Sequence, residues 1–166
     1  MRIAWLLFGI LVYYSSKSQI VLEPCKYKQP EFDSDTCCWR KLSQKGSYDS
    51  AANLIVQYLS CTKKANNTHS LNWHAGQMFA FANSNSNAIH YFKKTYNIFT
   101  KWFGGEDGKS WYFYAKGSVA FLQGRKHRLK KIITKWNKKL PKDLNYKSLE
   151  KLYSEFGNSY KAILGK

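Results

Sequence analysis

The sequence predicts an all-α protein, and three observations support this fold class. From residue 35 onward, apolar residues recur every three or four positions, which is the periodicity of one buried helix face. Beyond Val21, alternation with a period of two, which indicates half-buried strands, is hard to find. Hydrophobic residues make up 44% of the 166 residues and only three residues are proline, so the chain can bury a core in helices.

Turn residues divide the chain into helix-length segments with short connectors, which favours antiparallel helix pairs. The predicted helices cover residues 38–45, 48–59, 71–82, 88–99, 111–122, 125–140, 149–156 and 159–164. The glycine-rich residues 104–108 are predicted to form a loop, and Pro141 is expected to end the helix that precedes it.

The N-terminus predicts export. Arg2 precedes an apolar run over residues 3–14, and polar residues follow, so residues 1–18 are predicted to be a secretory signal peptide. The run has twelve residues, whereas a membrane-spanning helix needs about 20. We therefore expect a periplasmic or secreted protein with no integral membrane span after signal cleavage; an uncleaved anchor is the alternative. Residues 19–34 are expected to be irregular, and residues 35–166 to form one helical domain.

Four cysteines, Cys25, Cys37, Cys38 and Cys61, favour disulfides in an exported chain. Because a bond between the neighbours Cys37 and Cys38 would strain the backbone, we expect each of them to pair with Cys25 or Cys61. Free, buried thiols are the alternative. No metal site is predicted, since the cysteines lack two matched pairs and the histidines do not cluster with them.

Turn residues recur in phase between the helices of successive pairs. Gly46, Asn83, Gly124 and Gly157 are separated by 37, 41 and 33 residues. The positions five residues further on are mostly small: Ala51, Ala88, Leu129 and Ala162. The positions nine residues further on are bulky and apolar in three units, with Ile55, Phe92 and Ile133, and are Lys166 in the last. Such a pattern is typical of stacked helical repeats, in which small residues let helices approach and bulky ones fill the space between pairs.

Residues 35–166 resemble the tetratricopeptide repeat, whose pattern runs W-x2-L-G-x2-Y, then A-x3-F, then P. The middle unit matches it best, with Gly76 three residues before Phe79 and Ala88 four before Phe92. Two departures are Trp39, where a small residue is usual, and an insertion within the 41-residue spacing, expected at residues 101–108.

The resemblance implies a short right-handed solenoid of antiparallel helix pairs, with C-terminal capping helices and a groove that binds a protein or peptide. The repeat register places the candidate groove residues on the first helices of the pairs. They are Asn72, His74, Gln77, Tyr112 and Lys116.

Positive charge suggests a second function. The net charge is +17, and residues 122–166 contain thirteen Lys or Arg against three acidic residues. Such a surface attracts polyanions, for example nucleic acid, lipopolysaccharide or anionic lipid. The alternative is that these lysines only cover solvated helix faces.

No catalytic constellation is found in the sequence. Residues 104–110 fail as a phosphate-binding loop in their glycine spacing, and Glu106 and Asp107 would repel phosphate. His69 and His74 are five residues apart, which does not place both on one helix face. We therefore predict a protein that is not an enzyme and takes no cofactor: an exported protein- or peptide-binding scaffold, or alternatively a basic envelope or secreted protein that binds polyanions.

Overall fold

The structure is a computed structural model that describes residues 23–62, 67–140, 143 and 145–165, apart from the side chains of residues 99 and 100. The predicted signal peptide, residues 1–18, lies outside the described residues. The described part of the chain is helical and contains no strand, so the all-α fold class is confirmed. Within this part, no helix combines the length and the apolar character needed to cross a membrane.

A 3-10 helix over Pro24–Lys26 precedes ten α-helices in the described residues. The α-helices are α1 (Gln29–Phe32), α2 (Cys38–Gln44), α3 (Tyr48–Cys61), α4 (Thr68–Phe81), α5 (Asn85–Lys93), α6 (Ile98–Phe103), α7 (Gly105–Leu122), α8 (Lys126–Lys139), α9 (Tyr146–Ser154) and α10 (Tyr160–Leu164). The predicted segments match these helices to within a few residues, except between residues 94 and 110.

The recurring turn residues share a positive φ angle. Gly46, Asn83, Gly124 and Gly157 have φ angles of +76°, +59°, +68° and +118°, in the left-handed region. After Gly46, the amide of Ser47 donates a hydrogen bond of 2.9 Å to the carbonyl oxygen five residues earlier, and the turns at Asn83 and Gly124 repeat this bond. This arrangement caps the last carbonyl groups of a helix. The turns at Gly46, Asn83 and Gly124 therefore join two packed helices in a similar way.

An aromatic cluster forms the middle of the core. The buried ring of Trp73 on α4 lies 4.5 Å from the ring of Phe92 on α5, between centroids. The same ring lies 4.8 Å from Trp111 and 4.8 Å from Tyr114, both on α7. Trp73 therefore joins three helices, and aromatic pairs at such distances contribute beyond their buried area.

Tyr160 ties the C-terminal helix α10 back to the centre of the protein. Its buried ring lies 5.9 Å from Phe81, 6.0 Å from Phe92 and 6.0 Å from Phe121. Its hydroxyl oxygen lies 3.4 Å from the hydroxyl oxygen of Ser118. Burial raises the pKa of Tyr160 well above its ordinary value, so the phenol stays neutral inside the core.

Two glycines permit close helix contacts. A Cβ atom added at Gly76 would lie 2.5 Å from Cδ1 of Phe92, and one added at Gly117 would overlap the side chain of Leu149. Both glycines are buried, and each brings the backbone of one helix against the side chain of another. Glycine at these positions therefore sets the distance between α4 and α5 and between α7 and α9.

The prediction of a single helix over residues 88–99 is wrong for the second half of this range. α5 ends at Lys93, and a separate helix, α6, begins at Ile98. The buried hydroxyl of Thr95 donates a hydrogen bond of 2.7 Å to the carbonyl oxygen of Phe92, and this local bond competes with continuation of the helix. The insertion in the 41-residue spacing is thus an additional helix.

The prediction of a loop over residues 104–108 is also wrong, because α7 begins at Gly105. Gly104 is the N-cap of α7, and its carbonyl oxygen accepts a hydrogen bond of 2.8 Å from the amide of Gly108. Glu106 and Asp107 lie in the first turn of α7, where their carboxylates interact favourably with the positive end of the helix dipole. The two acids therefore stabilise a helix start in spite of the neighbouring glycines.

The segment predicted to be irregular, residues 19–34, is tied to α3 in its described part. It contains the 3-10 helix and the one-turn helix α1. The ring of Phe32 stacks on Tyr58 with centroids 4.0 Å apart, and Cys25 forms a disulfide with Cys61 at a Cα–Cα distance of 5.7 Å. These contacts fix the start of the described chain on the first pair of helices.

The expected disulfide pairing is wrong, although all four cysteines are bonded. Cys25 lies beside the end of α3 and forms its disulfide with Cys61. Cys37 therefore pairs with its neighbour Cys38. The backbone of Cys38 has a φ angle of +53°, which is unusual for a residue other than glycine. This local departure from helical geometry accompanies the bond between adjacent residues.

We expect Gly117→Ala to lower the free energy of unfolding by about 1–3 kcal/mol, the usual cost of overpacking a core. An alanine in a helix that had room for it would instead raise the stability by up to about 1 kcal/mol. Urea unfolding followed by circular dichroism measures the difference. Combining Gly117→Ala with Leu149→Ala should cost less than the sum of the two single changes; additive costs would contradict the close contact.

Candidate functional site

The candidate site is a cleft of about 270 Å³ between α7 and α8, with α6 at its rim. Its walls are formed by Lys101, Tyr112, Phe113, Lys116, Arg128, Lys131, Ile132 and Lys135. Five of these eight side chains are cationic, and none is a carboxylate. The site therefore combines a concave shape with an excess of positive charge.

The sequence of α8 places these cations on the surface. The helix buries one apolar stripe, Leu129, Ile132, Ile133 and Trp136. All seven of its Lys and Arg residues are exposed, and it has no Asp or Glu. Residues separated by three or four positions lie on the same side of a helix, so Arg128, Lys131 and Lys135 line one edge of α8.

Tyr112 organises the opposite wall. The ammonium group of Lys116 donates a hydrogen bond of 2.7 Å to the hydroxyl oxygen of Tyr112 and lies 4.9 Å from the centroid of its ring. The ammonium group of Lys101 lies 5.2 Å from the same centroid. One aromatic ring therefore holds two cations close together by cation–π attraction.

Tyr96 connects the cleft to the segment before α6. Its ring meets the ring of Tyr112 edge to face at 5.7 Å. Burial raises the pKa of the Tyr96 phenol, while the nearby positive charge of Arg128 acts in the opposite direction. Tyr96 and Lys101 thus both approach the ring of Tyr112 in the wall of the cleft.

A second, shallower groove of about 400 Å³ lies on the outer face of α8. It is lined by His127, Lys130, Lys131, Thr134, Lys135 and Lys138. Because Lys131 and Lys135 belong to both depressions, the cleft and the outer groove form one continuous cationic surface. We call this surface, the lining of the two depressions, the cationic face.

The charges of the cationic face are not neutralised by ion pairs within the described residues. The ion pairs of the described residues join Lys26 with Glu23, and Arg40 with Asp33 and Asp35. All of these lie near the start of the described chain. The positive charge on α8 is therefore available to an external anion, and ammonium and guanidinium groups bind phosphates and carboxylates.

The structure places the residues predicted to line a groove in two locations. Tyr112 and Lys116 contact each other in the cleft. Asn72, His74 and Gln77 lie on α4; there the amide nitrogen of Asn72 donates to the carbonyl oxygen of Thr68 at 2.6 Å. Their role in binding a partner stays a prediction.

His74 lies in a partly buried setting. Its Nδ1 is 3.3 Å from Oε1 of Gln77, and its ring is 4.9 Å from the ring of Trp39. Burial lowers the pKa of His74; Asp33 opposes this shift and Arg40 reinforces it. The imidazole therefore favours its neutral form and serves as a packing group beside α2.

Four of the five cations of the cleft were not predicted as site residues: Lys101, Arg128, Lys131 and Lys135. The sequence does contain a signal for the last three, since their spacing of three and four positions places them on one edge of a helix. Lys101 has no such signal, because its position depends on the separate helix α6.

No protein-family model, curated protein or solved structure matches this chain. The observations that bear on function are therefore the helical fold and the charge and shape of the cleft.

Because the pKa of His74 is lowered in the folded protein, protonation favours the unfolded chain. The stability that depends on the neutral ring is fully present above the ordinary pKa of 6.5 and is lost as the pH falls below it. We expect the free energy of unfolding to decrease between about pH 7 and pH 5.5, and less steeply in His74→Gln. Urea titrations at several pH values measure this slope; His127→Gln, at an exposed position on α8, is the control. Equal slopes in wild type and His74→Gln would show that His74 does not cause this pH dependence of stability.

Proposed function

We propose that this chain is a non-catalytic, exported binding scaffold of stacked helix pairs, similar to tetratricopeptide-repeat proteins, that binds an anionic partner through its cationic face. The observation that carries the proposal is the cleft between α7 and α8, where five cations meet without a carboxylate among the lining residues. The proposal combines the two functions considered from the sequence: a helical framework for binding, and a polyanion as the chemistry of the partner.

Helix order and turn geometry support the scaffold. Successive helices pack against each other along the chain, from α2 and α3 through α4 and α5 to α7, α8 and α9. The left-handed turns recur at Gly46, Asn83 and Gly124, where a repeat of helix pairs requires a reversal. The additional helix α6 lies between the second and third pairs, so we propose a solenoid that is interrupted once, with α9 and α10 as its cap.

The electrostatics of the cleft support an anionic partner over a neutral one. Five cations line the cleft, and like charges repel each other. A bound phosphate or carboxylate would replace this repulsion by attraction. Phe113 and Ile132 form an apolar part of the wall and offer no acceptor that would compete with an anion for the cations.

The disulfides support the proposed compartment. Cys25–Cys61 and Cys37–Cys38 leave no free cysteine among the described residues. Disulfides persist in oxidising compartments and are rare in the cytosol. Together with the signal peptide predicted at residues 1–18, they favour a periplasmic or secreted location.

The test replaces two cleft cations, Lys131 and Lys135, by glutamine. We expect Lys131→Gln/Lys135→Gln to weaken the binding of inorganic polyphosphate by about tenfold, equivalent to about 1.4 kcal/mol. Isothermal titration calorimetry at about 50 mM and 200 mM salt measures the dissociation constant and its salt dependence.

The matched control is Lys41→Gln/Lys45→Gln, which removes the same charge from exposed positions on and just after α2. Equal weakening by both variants would show attraction by net charge alone and would contradict a defined site. A poly-glutamate peptide, titrated in parallel, separates a preference for phosphates from a preference for acidic protein segments.

A further inference from the structure

Helix α6 exposes three large apolar side chains at the rim of the cleft. The exposed fractions are 59% for Ile98, 69% for Trp102 and 84% for Phe103. They are the only large hydrophobic side chains with such exposure in the described residues. Side chains of this kind are normally buried, so a cluster of them marks a surface that meets something apolar.

Lys101 connects this apolar cluster to the cationic face. Its ammonium group lies 6.0 Å from the ring centroid of Trp102 and 5.2 Å from that of Tyr112. The same lysine lines the cleft together with Arg128 and Lys131. The exposed apolar side chains and the cations therefore form one contiguous surface, with the apolar part at its edge.

We propose that this surface docks on an anionic lipid bilayer, with the exposed side chains of α6 in the interfacial region and the cations of α8 against the lipid phosphates. The inference rests on the proposed function and specifies its anionic partner. A bilayer interface offers both required environments within a few ångströms: anionic headgroups and, just below them, acyl chains.

The identity of the side chains fits this occupant. Tryptophan is enriched at membrane interfaces because its ring is apolar and its N–H remains hydrated. Lysine beside it keeps its ammonium group in the headgroup layer while its methylene chain lies in apolar surroundings. α6, with Ile98 and Trp102 one helical turn apart and Lys101 between them, combines both features.

Two other occupants fit less well. Bases of single-stranded nucleic acid stack on aromatic rings, but Ile98, which is exposed together with Trp102 and Phe103, offers no ring. A second copy of this chain would bring two cationic faces together in a protein that already carries a net charge of +17. An anionic bilayer satisfies the apolar and the charged parts of the surface at once.

The test uses the chain from residue 19 onward, because the apolar run of the predicted signal peptide would itself bind vesicles. It measures sedimentation of this protein with vesicles of phosphatidylcholine alone and of phosphatidylcholine and phosphatidylglycerol in equal amounts. We expect binding only to the anionic vesicles. Trp102→Ser/Phe103→Ser should weaken this binding by about tenfold or more, because the apolar side chains no longer enter the interface. The same variant should bind polyphosphate as the wild type does, since the cleft cations are unchanged.

Trp102→Leu/Phe103→Leu is the matched control. Leucine retains apolar character and loses the aromatic ring, so vesicle binding should stay within a few-fold of wild type. Stacking on bases would be lost in this variant. Circular dichroism verifies that both variants keep the fold of the wild-type protein, and analytical ultracentrifugation measures their oligomeric state.

Three results would overturn the inference. Vesicle binding that is unchanged in the serine variant but lost in Lys131→Gln/Lys135→Gln would show purely electrostatic adsorption. Single-stranded oligonucleotide binding that falls in both the serine and the leucine variants, without vesicle binding, would assign the surface to nucleic acid. Dissociation of a dimer by the serine variant would assign it to self-association. Absence of both vesicle and polyphosphate binding would contradict the proposed function itself.

Discussion

The burial of one apolar stripe on α8 fixes where the positive charge of this protein lies. Leu129, Ile132 and Trp136 are buried, and the ring of Trp136 packs 6.0 Å from Phe113 of α7 and 5.9 Å from Tyr146 of α9. Because this stripe occupies one side of the helix, its seven Lys and Arg side chains point to solvent or into the cleft. The cationic face is thus coupled to the core, and α8 cannot rotate to hide its charge without exposing the stripe.

The apolar periodicity and the turn residues of the sequence predict most of the helices. Helix periodicity and the turn residues depend on short-range backbone geometry, and Asn83 adopts the same left-handed conformation as the glycines in phase with it. The wrong helix boundaries arise where a side-chain interaction outweighs the apolar periodicity or the effect of neighbouring glycines. The hydroxyl of Thr95 ends α5 early, and the carboxylates of Glu106 and Asp107 favour a helix start among glycines. The disulfide pairing depends on which segments meet in space, which residue spacing does not reveal.

The candidate site was only partly predictable for a similar reason. The repeat register predicts Tyr112 and Lys116 as groove residues, and the structure places both in the cleft. The composition revealed the charge of α8, but a cleft forms only because a particular edge of α8 faces a particular edge of α7. The sequence gives no signal for Lys101 or the exposed side chains of α6, because its apolar pattern does not separate α6 from the helix before it. To predict a surface formed by several helices, one needs the angles at which the helices pack, and the residue pattern of a single helix does not give these angles.

The most direct test of the account is to map polyphosphate binding on the backbone amides by NMR titration of the full chain. The account predicts that the largest chemical-shift changes lie in residues 126–139 and 112–116 and that they saturate with a single dissociation constant. Changes centred on α4 around His74 and Gln77 would instead locate binding at the other group of predicted residues. Changes spread evenly over exposed lysines would contradict a defined cationic site.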